Sequence, residues 1–289
     1  MTELENPESA NADQVEYWNT GPGAKWAAHQ ETLDAMMASI LDRLLTHAAP
    51  KTGERVLDIG CGAGASSLAL ASQVGTGGQV LGIDIARPLL DKAETRTAEA
   101  GLGNVRYLVA DAQTHNFEAG AFDLMTSRFG VMFFADPLVA FGNIATALRP
   151  GGRMAFVSWA SLQANPWFQM PRAAAIARLG PPEATPANAP GPMAFQDTAY
   201  VSEFLSKAGL SDVSAQVEEL RLTISGSLDE VAEFASSLGP ATRVINEMGG
   251  TTEDVAAITR DIAKGLEDYK VDGGVSVPAT LNFYSAVRR

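Results

Sequence analysis

The chain has 289 residues, 46% of them hydrophobic, so it can bury the core of one large domain or of a domain with an insertion. Its formal net charge is −13, which disfavours nucleic acid as a partner, because Lys and Arg supply most of a protein's affinity for phosphate backbones. We therefore expect a small-molecule substrate and no nucleic-acid partner. With Cys61 as its only cysteine, the chain can form neither an internal disulfide nor a cysteine-cluster metal site, and no metal is expected.

The amino-terminal residues are acidic and lack the basic and apolar regions of a secretory signal. No apolar run approaches the roughly 18 to 20 residues that span a bilayer. We expect a soluble, cytoplasmic protein without a membrane partner. The sequence contains no feature that sets an oligomeric state.

The first dozen residues are polar, and a helical pattern then runs from about Val15 to Ala48, with apolar residues at three- and four-residue steps. Pro50 ends this region. Residues 1–50 are predicted to form an amino-terminal tail and a helical cap.

Strands and helices alternate over residues 51–160. Short apolar runs predict five strands, at Arg55–Ile59, Gln79–Ile85, Val105–Ala110, Phe122–Ser127 and Arg153–Trp159. Helices are predicted between them at Ala65–Val74, Pro88–Ala100 and Pro137–Leu148. This alternation predicts an α/β fold with a doubly wound, mostly parallel sheet and a Rossmann-like core.

Residues 161–196 are Pro-rich and include Pro181-Pro182 and the segment ATPANAPGP. A long irregular segment inside an α/β domain predicts a lid or a substrate-binding insertion, with a solvated surface insertion as the alternative. Residues 197–289 are predicted to complete a seven-stranded sheet. They read as a helix at Asp197–Ala208, a strand at Val213–Ile224, a helical insertion from Leu228 to about Tyr269 and a final strand at Thr280–Val287.

The glycine-rich sequence VLDIGCGAG, residues 56–64, lies where the first strand turns into the first helix. Glycines let the backbone bend sharply and let a ligand approach without interference from a Cβ atom. Ligands of doubly wound sheets bind in the crevice at this end of the strands. Asp84 closes the second strand, where it could accept hydrogen bonds from a ribose diol, and Asp111 follows the third.

The spacing Gly60-x-Gly62-x-x-Ala65 also fits the fingerprint of an NAD- or FAD-binding oxidoreductase. Asp58 argues against that alternative, because a carboxylate two residues before the first glycine would repel a pyrophosphate. The ammonium and sulfonium groups of S-adenosylmethionine would instead be favoured there. A protein that binds S-adenosylmethionine without catalysis is a further alternative.

Five motifs in order, VLDIGCGAG, GIDIA, VADAQ, FDLMTSRFGVMFFADP and LRPGGR, resemble those of class I S-adenosylmethionine-dependent methyltransferases. The likeness is greatest to the ubiquinone/menaquinone-biosynthesis methyltransferase-like group, and it covers about Tyr17 to Trp159. It implies a methyltransferase fold of class I and S-adenosyl-L-methionine as the cofactor.

The resemblance also implies which residues bind the cofactor. Its methionine half would contact the first-strand acid and the glycine loop, namely Asp58, Gly60, Cys61, Gly62 and Gly64, together with Ser127 at the end of strand four. Its nucleoside half would contact Asp84, Ile85, Asp111 and Ala112. Trp18 and Trp26 in the cap would cover the cofactor, with core packing as the alternative.

The catalytic residues stay unknown at this point, because a sulfonium methyl group is already electrophilic and a base is needed only if the acceptor must lose a proton. His115 and His29 are the candidate bases, and Tyr17 and Arg128 could orient the acceptor. Apolar residues in 161–196 and in the cap predict a closed pocket for a small, hydrophobic or aromatic acceptor.

Overall fold

The computed structural model describes residues 11–289; the predicted polar tail at 1–10 lies outside the described residues. Within the described residues, four helices precede the sheet, namely α1 (Ala12–Asn19), α2 (Gly21–Ala28), α3 (Gln30–Met36) and α4 (Ala38–Ala48). The predicted helical cap is thus divided, and Pro22 with its flanking glycines accounts for the first break, after α1. On α4 the residues Ile40, Leu44, Leu45 and Ala48 bury one face.

Over residues 11–289 the sheet has eight strands. They are β1 (Arg55–Ile59), β2 (Gln79–Asp84), β3 (Val105–Val109), β4 (Phe122–Arg128), β5 (Leu148–Trp159), β6 (Leu210–Ser225), the two-residue β7 (Lys270–Val271) and β8 (Gly274–Arg288). Seven of them follow the order β3-β2-β1-β4-β5-β8-β6, and β7 pairs with β8. Strands β1 to β5 are parallel, whereas β8 is antiparallel to both β5 and β6. The predicted doubly wound, mostly parallel α/β sheet is confirmed.

The order of the strands determines where the ligand-binding crevice of the sheet is expected. Helices α5 (Ala65–Val74), α6 (Arg87–Glu99) and α7 (Pro137–Ala147) connect the parallel strands. The chain runs outward from β1 to β3 on one side and returns to β4 on the other. The carboxyl ends of β1 and β4 therefore lie side by side at the switch point, where open α/β sheets bind ligands.

Residues 161–196 contain more regular structure than their prolines indicate. Helix α8 (Pro166–Leu179) occupies the first half, and residues 180–197 follow as turns and irregular chain. Pro166 lies in the first turn, where its missing N–H costs no hydrogen bond. Pro171 lies inside the helix and is buried with Trp167, Phe168 and Ala175. Burial of this apolar face outweighs the helix-breaking tendency of one internal proline.

The predicted helical insertion is three helices, α10 (Leu228–Ser237), α11 (Pro240–Glu247) and α12 (Thr252–Leu266), preceded by α9 (Thr198–Lys207) and β6. Breaks fall at Gly239-Pro240 and Gly249-Gly250, because neither pair favours a continuous helix. Helix α8 packs against α11 and α12, so the Pro-rich segment and the helical insertion share one packed layer.

Strands β6 and β8 extend beyond the rest of the sheet. Pairing of β5 with β8 stops at Trp159 and Leu281, whereas β6 continues alongside β8 until Ser225 meets Gly274. Helices α8 and α10 contact β8. Over residues 11–289, no helix is both long and apolar enough to cross a membrane.

Candidate active site

The loop between β1 and α5 is built from glycines in the left-handed backbone region. Gly60, Gly62 and Gly64 have φ values of 63°, 53° and 85°. The backbone N–H groups of Gly60 and Cys61 both donate to the carbonyl oxygen of Ile83, at 2.7 and 3.1 Å, which ties the loop to β2. A Cβ atom on Gly62 would meet no atom within 4 Å. Hydrogen bonds to β2 thus fix the start of the loop, and the space beside the Gly62 backbone is free.

The start of this loop contacts the turn that follows β4. A Cβ atom on Gly60 would lie 2.5 Å from the Cα atom of Gly130, and the reverse distance is also 2.5 Å. Only two glycines allow the backbones to approach so closely. The segments after β1 and β4 therefore meet directly at the switch point.

Asp58 lies beneath the loop instead of on its open face. Its carboxylate is fully buried and accepts hydrogen bonds from Ser66 and Ser67, each at 2.6 Å, and from Thr126 at 3.2 Å. Burial raises the pKa of Asp58, and the hydroxyl donors and Arg128 oppose that rise. These bonds tie the end of β1 to the first turn of α5, and direct contact of Asp58 with a ligand stays a prediction.

Asp84 joins β2 to the glycine loop. One carboxylate oxygen accepts from the N–H of Gly62 at 2.8 Å, and the other accepts from the N–H of Ala86 at 2.8 Å. Burial raises the pKa of Asp84 to about 6, although both N–H groups favour the charged form. A carboxylate has more acceptor sites than these two bonds use, so it can also receive ligand hydroxyls.

Asp111, after β3, is bonded to the cap. The side-chain amide of Asn11 donates to both of its oxygens at 2.9 Å, and the Asn11 oxygen accepts from the N–H of Ala135 at 2.7 Å. Farther along α1, Asn19 donates to the carbonyl oxygen of Ile85 at 2.8 Å. Helix α1 therefore lies across the carboxyl ends of β2 and β3. No local sequence pattern identifies Asn11 or Asn19 as a residue that makes these contacts.

Two other candidate cofactor residues are buried. Ala112 is in the core, and its carbonyl oxygen accepts from Asn143 at 3.0 Å. Cys61 packs its sulfur toward Gly82, where a Cβ atom would lie 2.9 Å from Sγ. Burial raises the pKa of the Cys61 thiol well above its usual value, which disfavours a reactive thiolate. Both residues can offer only their backbone to a ligand.

The cap tryptophans form an aromatic cluster with the segment after β4. The ring of Trp18 lies edge-to-face with Trp26 and with Phe133, at centroid distances of 5.7 and 5.4 Å. Tyr17 contacts Trp18 but is half exposed. The tryptophans thus join the cap to the crevice wall, and Tyr17 lies at its outer rim.

The end of β4 is a strained, aromatic segment. Ser127 is buried, and its hydroxyl accepts from the N–H of Val131 at 3.3 Å. Phe129 has φ 70°, an unfavourable conformation for a bulky side chain. Its ring stacks on Trp159 at 4.4 Å with 2° between the planes, and Trp159 meets Phe168 of α8 edge-to-face at 4.8 Å. Strain of this kind concentrates at functional sites.

Arg128 links β4 to the cap and the loop. Its Nη2 atom donates to Asp34 of α3 at 3.2 Å, and the other oxygen of Asp34 pairs with Arg96 of α6 at 2.9 Å. Arg96 also donates to the carbonyl oxygen of Ala63 at 2.5 Å. The sequence pointed to Arg128 but missed Asp34 and Arg96, because the three residues come from separate elements.

The histidines lie in different parts of the structure. His29 lies between α2 and α3, with its ring 5.4 Å from Phe234 of α10, which in turn lies 6.1 Å from Trp167. His115 packs on Phe117 and follows Asp111. His47 binds Glu218 at 2.8 Å and has a structural role. Of the three histidines, only His29 has its ring against α10, which contacts α8.

The glycine loop and the acids that end β2 and β3 lie along one edge of the sheet. The open backbone at Gly62 gives a ligand room, and Asp84 and Asp111 supply acceptors at the ends of β2 and β3. Over residues 11–289, no group of three or more His, Cys, Asp or Glu side chains could hold a metal ion.

Comparisons with known proteins identify the family of the chain. Residues 56–152 match the profile of a methyltransferase domain. The chain is 45% identical over 116 residues to the aklanonic acid methyltransferase DauC of Streptomyces sp. (strain C5), which covers 40% of this chain and 53% of that protein. The match thus spans about half the length of that relative. The chain is also 35% identical over 190 residues to the nocamycin O-methyltransferase of Saccharothrix syringae, covering 62% of this chain and 67% of that one.

Among solved structures, the fold is similar to phosphoethanolamine N-methyltransferase 2 of Haemonchus contortus in complex with phosphomonomethylethanolamine and S-adenosylhomocysteine. The TM-score is 0.57 with 21% identity, and the alignment covers 96% of this chain and 59% of that one. These matches favour the methyltransferase over the NAD- or FAD-dependent alternative. The chain belongs to the class I S-adenosylmethionine-dependent methyltransferases, and its cofactor is S-adenosylmethionine.

Proposed function

We propose that this enzyme transfers the methyl group of S-adenosylmethionine to an oxygen atom of a small aromatic or otherwise apolar molecule. The names of the two curated relatives support this choice. One acts on aklanonic acid, and the other is an O-methyltransferase for nocamycin. The acceptor would bind between the helical cap and residues 161–196.

The observation that carries the proposal is the aromatic contact from β4 through β5 to α8. Phe129, Trp159 and Phe168 contact one another in series, at the carboxyl ends of two neighbouring strands. Trp18 and Trp26 approach the same edge from the cap. Such rings favour flat, apolar ligands, since they supply large contact areas at little cost in conformational entropy.

Cofactor binding is assigned to the glycine loop and the strand-end acids. The Gly62 backbone would lie against the methionine half, Asp84 would accept from the ribose hydroxyls, and Asp111 would accept from the adenine amino group. Asp58 would act indirectly, by holding the start of α5 beneath the loop. When bound, the cofactor supplies a methyl group that is electrophilic without further activation.

The protein's own contribution would be alignment and exclusion of water. The aromatic walls would fix the plane of the acceptor, and good alignment alone can lower a barrier by about 7 to 11 kcal/mol. A base is needed only if the accepting oxygen carries a proton. His29 is better placed than His115 for that task, because its ring contacts Phe234 beside Trp167.

Each segment of the chain would have its own part in methyl transfer. Residues 51–160 form the cofactor-binding core, and residues 197–289 complete the sheet and carry the helical insertion. The cap within 1–50 and the segment 161–196 would cover the acceptor. Because α8 packs on α11 and α12, any closing motion of 161–196 would involve that whole layer.

The test is a methyl-transfer assay that measures S-adenosylhomocysteine release. We expect turnover with aklanonic acid or with fused-ring phenols and acids, and none with aliphatic amines. Phe168→Ala should raise KM for the accepted compound and leave S-adenosylhomocysteine affinity unchanged. Tyr269→Ala, which changes an aromatic residue beside β7, is the control. Turnover confined to amines, or an equal effect of both variants, would contradict the proposal.

A further inference from the structure

One terminal nitrogen of Arg128 is left without a partner at the carboxyl end of β4. Its Nη2 atom bonds to Asp34, whereas its Nη1 atom is shielded from solvent and has no hydrogen-bond partner among the described residues 11–289. An arginine stays charged in proteins, and a buried donor without an acceptor costs free energy. A ligand that supplied an acceptor would remove this cost.

The protein groups around Arg128 are already engaged. Asp34 bonds to Arg128, to Arg96 and to the amide of Gln30, the last at 2.7 Å. Asp58 lies near enough to interact electrostatically with Arg128, but three hydroxyl groups hold its oxygens. The guanidinium groups of Arg128 and Arg96 thus share the carboxylate of Asp34. Neither Asp34 nor Asp58 accepts a hydrogen bond from Nη1 of Arg128.

Arg128 also lies where the two halves of the site meet. On one side, Phe129 begins the aromatic contact with Trp159. On the other, Asp34 and Arg96 connect Arg128 to the glycine loop through the carbonyl of Ala63. A group bound to Nη1 would therefore lie between the cofactor loop and the proposed acceptor walls.

We propose that Nη1 of Arg128 binds a carboxylate in the active site, an inference that rests on the proposed function. The carboxylate has two possible sources, the methionine end of the cofactor and an acid group on the acceptor. A single free nitrogen suits a one-point, charge-assisted hydrogen bond of this kind. In the second case, the enzyme would select acidic aromatic acceptors over neutral ones.

Calorimetry on the full-length protein separates the two sources. The first pair of ligands is S-adenosylhomocysteine and its decarboxylated analogue. The second pair, titrated with S-adenosylhomocysteine present in excess, is 2-naphthoate and 2-naphthamide. We expect Arg128→Gln to weaken the carboxylate member of one pair about tenfold or more and to leave its neutral partner unchanged. The pair that responds identifies the source.

The matched control is Asp34→Asn, which removes the ion pair with the cap but keeps the guanidinium group. This variant should bind the carboxylate ligand at least as well as wild type, since it frees Arg128. Arg128→Lys keeps the charge and should lose less affinity than Arg128→Gln, which covers the case in which the glutamine variant folds poorly.

Two results would overturn the inference. One is that wild type binds both members of each pair with equal affinity. The other is that Asp34→Asn and Arg128→Gln weaken charged and neutral ligands alike, which would leave Arg128 only its tie to the cap. Failure of the proposed function is separate, because it would appear as absence of methyl transfer to any oxygen acceptor.

Discussion

Gly60 and Gly130 contact each other backbone to backbone, so that a Cβ atom on either would lie 2.5 Å from the Cα atom of the other. This contact joins the loop after β1 to the turn after β4. Gly62, two residues along the same loop, has no atom within 4 Å of its Cβ position. The two loop glycines therefore have different reasons to lack a side chain, and substitution can separate them.

Gly62→Val should abolish binding of S-adenosylhomocysteine while the protein stays folded. A Cβ atom at Gly62 would meet no other atom within 4 Å, but the side chain would stand in the space through which the ligand reaches the backbone. Its positive φ should cost about 1 to 3 kcal/mol of stability. Calorimetry and circular dichroism check the two parts, and tight binding by the folded variant would refute the loop assignment.

Gly60→Ala is the opposite case and serves as the control. Its methyl group would enter the backbone of Gly130, which cannot move aside as a flexible side chain can. Thermal unfolding should show a larger loss of stability for Gly60→Ala than for Gly62→Ala. Equal losses would mean that the backbone of Gly130 can move away from the added methyl group.

Affinity for S-adenosylhomocysteine should fall as the pH drops through about 6, the pKa to which burial raises Asp84. Above that pH the charged carboxylate can accept ribose hydroxyls, whereas protonation replaces an acceptor with a donor. Asp84→Ala should lose about 1.5 to 3 kcal/mol of binding at neutral pH, and Asp84→Asn should lose less. The test is the pH profile of Kd, which should lose its step in Asp84→Asn.

Asp84 also affects stability, with a sign that follows from its raised pKa. Because the folded pKa of about 6 exceeds the usual value of 3.8, the folded state binds this proton more tightly than the unfolded chain. The charged carboxylate therefore opposes folding above pH 6, and this penalty disappears as the pH falls toward 4. Loss of both pH dependences in Asp84→Asn would link binding and stability to Asp84.

Phe129→Gly should be less destabilising than Phe129→Ala, although it removes more atoms. Both variants lose the stacking on Trp159, but only glycine adopts φ 70° without strain. The expected difference is about 1 kcal/mol in the free energy of unfolding, measured by denaturant titration. If alanine is the more stable variant, the backbone at this position relaxes out of the left-handed region.

His29→Gln should lower kcat more than His115→Gln if the accepting oxygen carries a proton. His29 contacts the ring of Phe234 next to Trp167, whereas His115 packs on Phe117 beyond Asp111. Neither variant should change S-adenosylhomocysteine affinity by more than a small factor. The measurement is kcat across pH with one accepted phenol, and a larger loss for His115→Gln would reverse the assignment.

Hydrogen exchange should report closure of the site. Amides of α1, α2 and α8 should gain protection when S-adenosylhomocysteine and an acceptor analogue bind together. Because Asn11 bonds to Asp111 and to the backbone of Ala135, Asn11→Ala should raise exchange in α1 of the free protein. Protection confined to the glycine loop and Asp84 would show that residues 161–196 are only a surface feature.

The sequence predicted the parallel strands and the glycine loop well, because strands buried on both faces appear as continuous apolar runs. It did not predict contacts between distant elements. Asn11 meets Asp111, and Asp34 meets both Arg96 and Arg128, only through the fold. The Pro-rich composition predicts an irregular segment over 161–196, whereas helix α8 forms there because burial of its apolar face compensates for its two prolines.

The extension of β6 and β8 past β5 separates two parts of the sheet that would serve different functions. The part of β8 that precedes Leu281 pairs with β6 but not with β5, and α8 and α10 contact β8. Under the proposed function, substitutions in this part of β8 would alter the support of α8 and α10 and leave unchanged the strands that precede Asp84 and Asp111. Such a scaffold can acquire a new methyl acceptor while the cofactor half of its sequence stays constant.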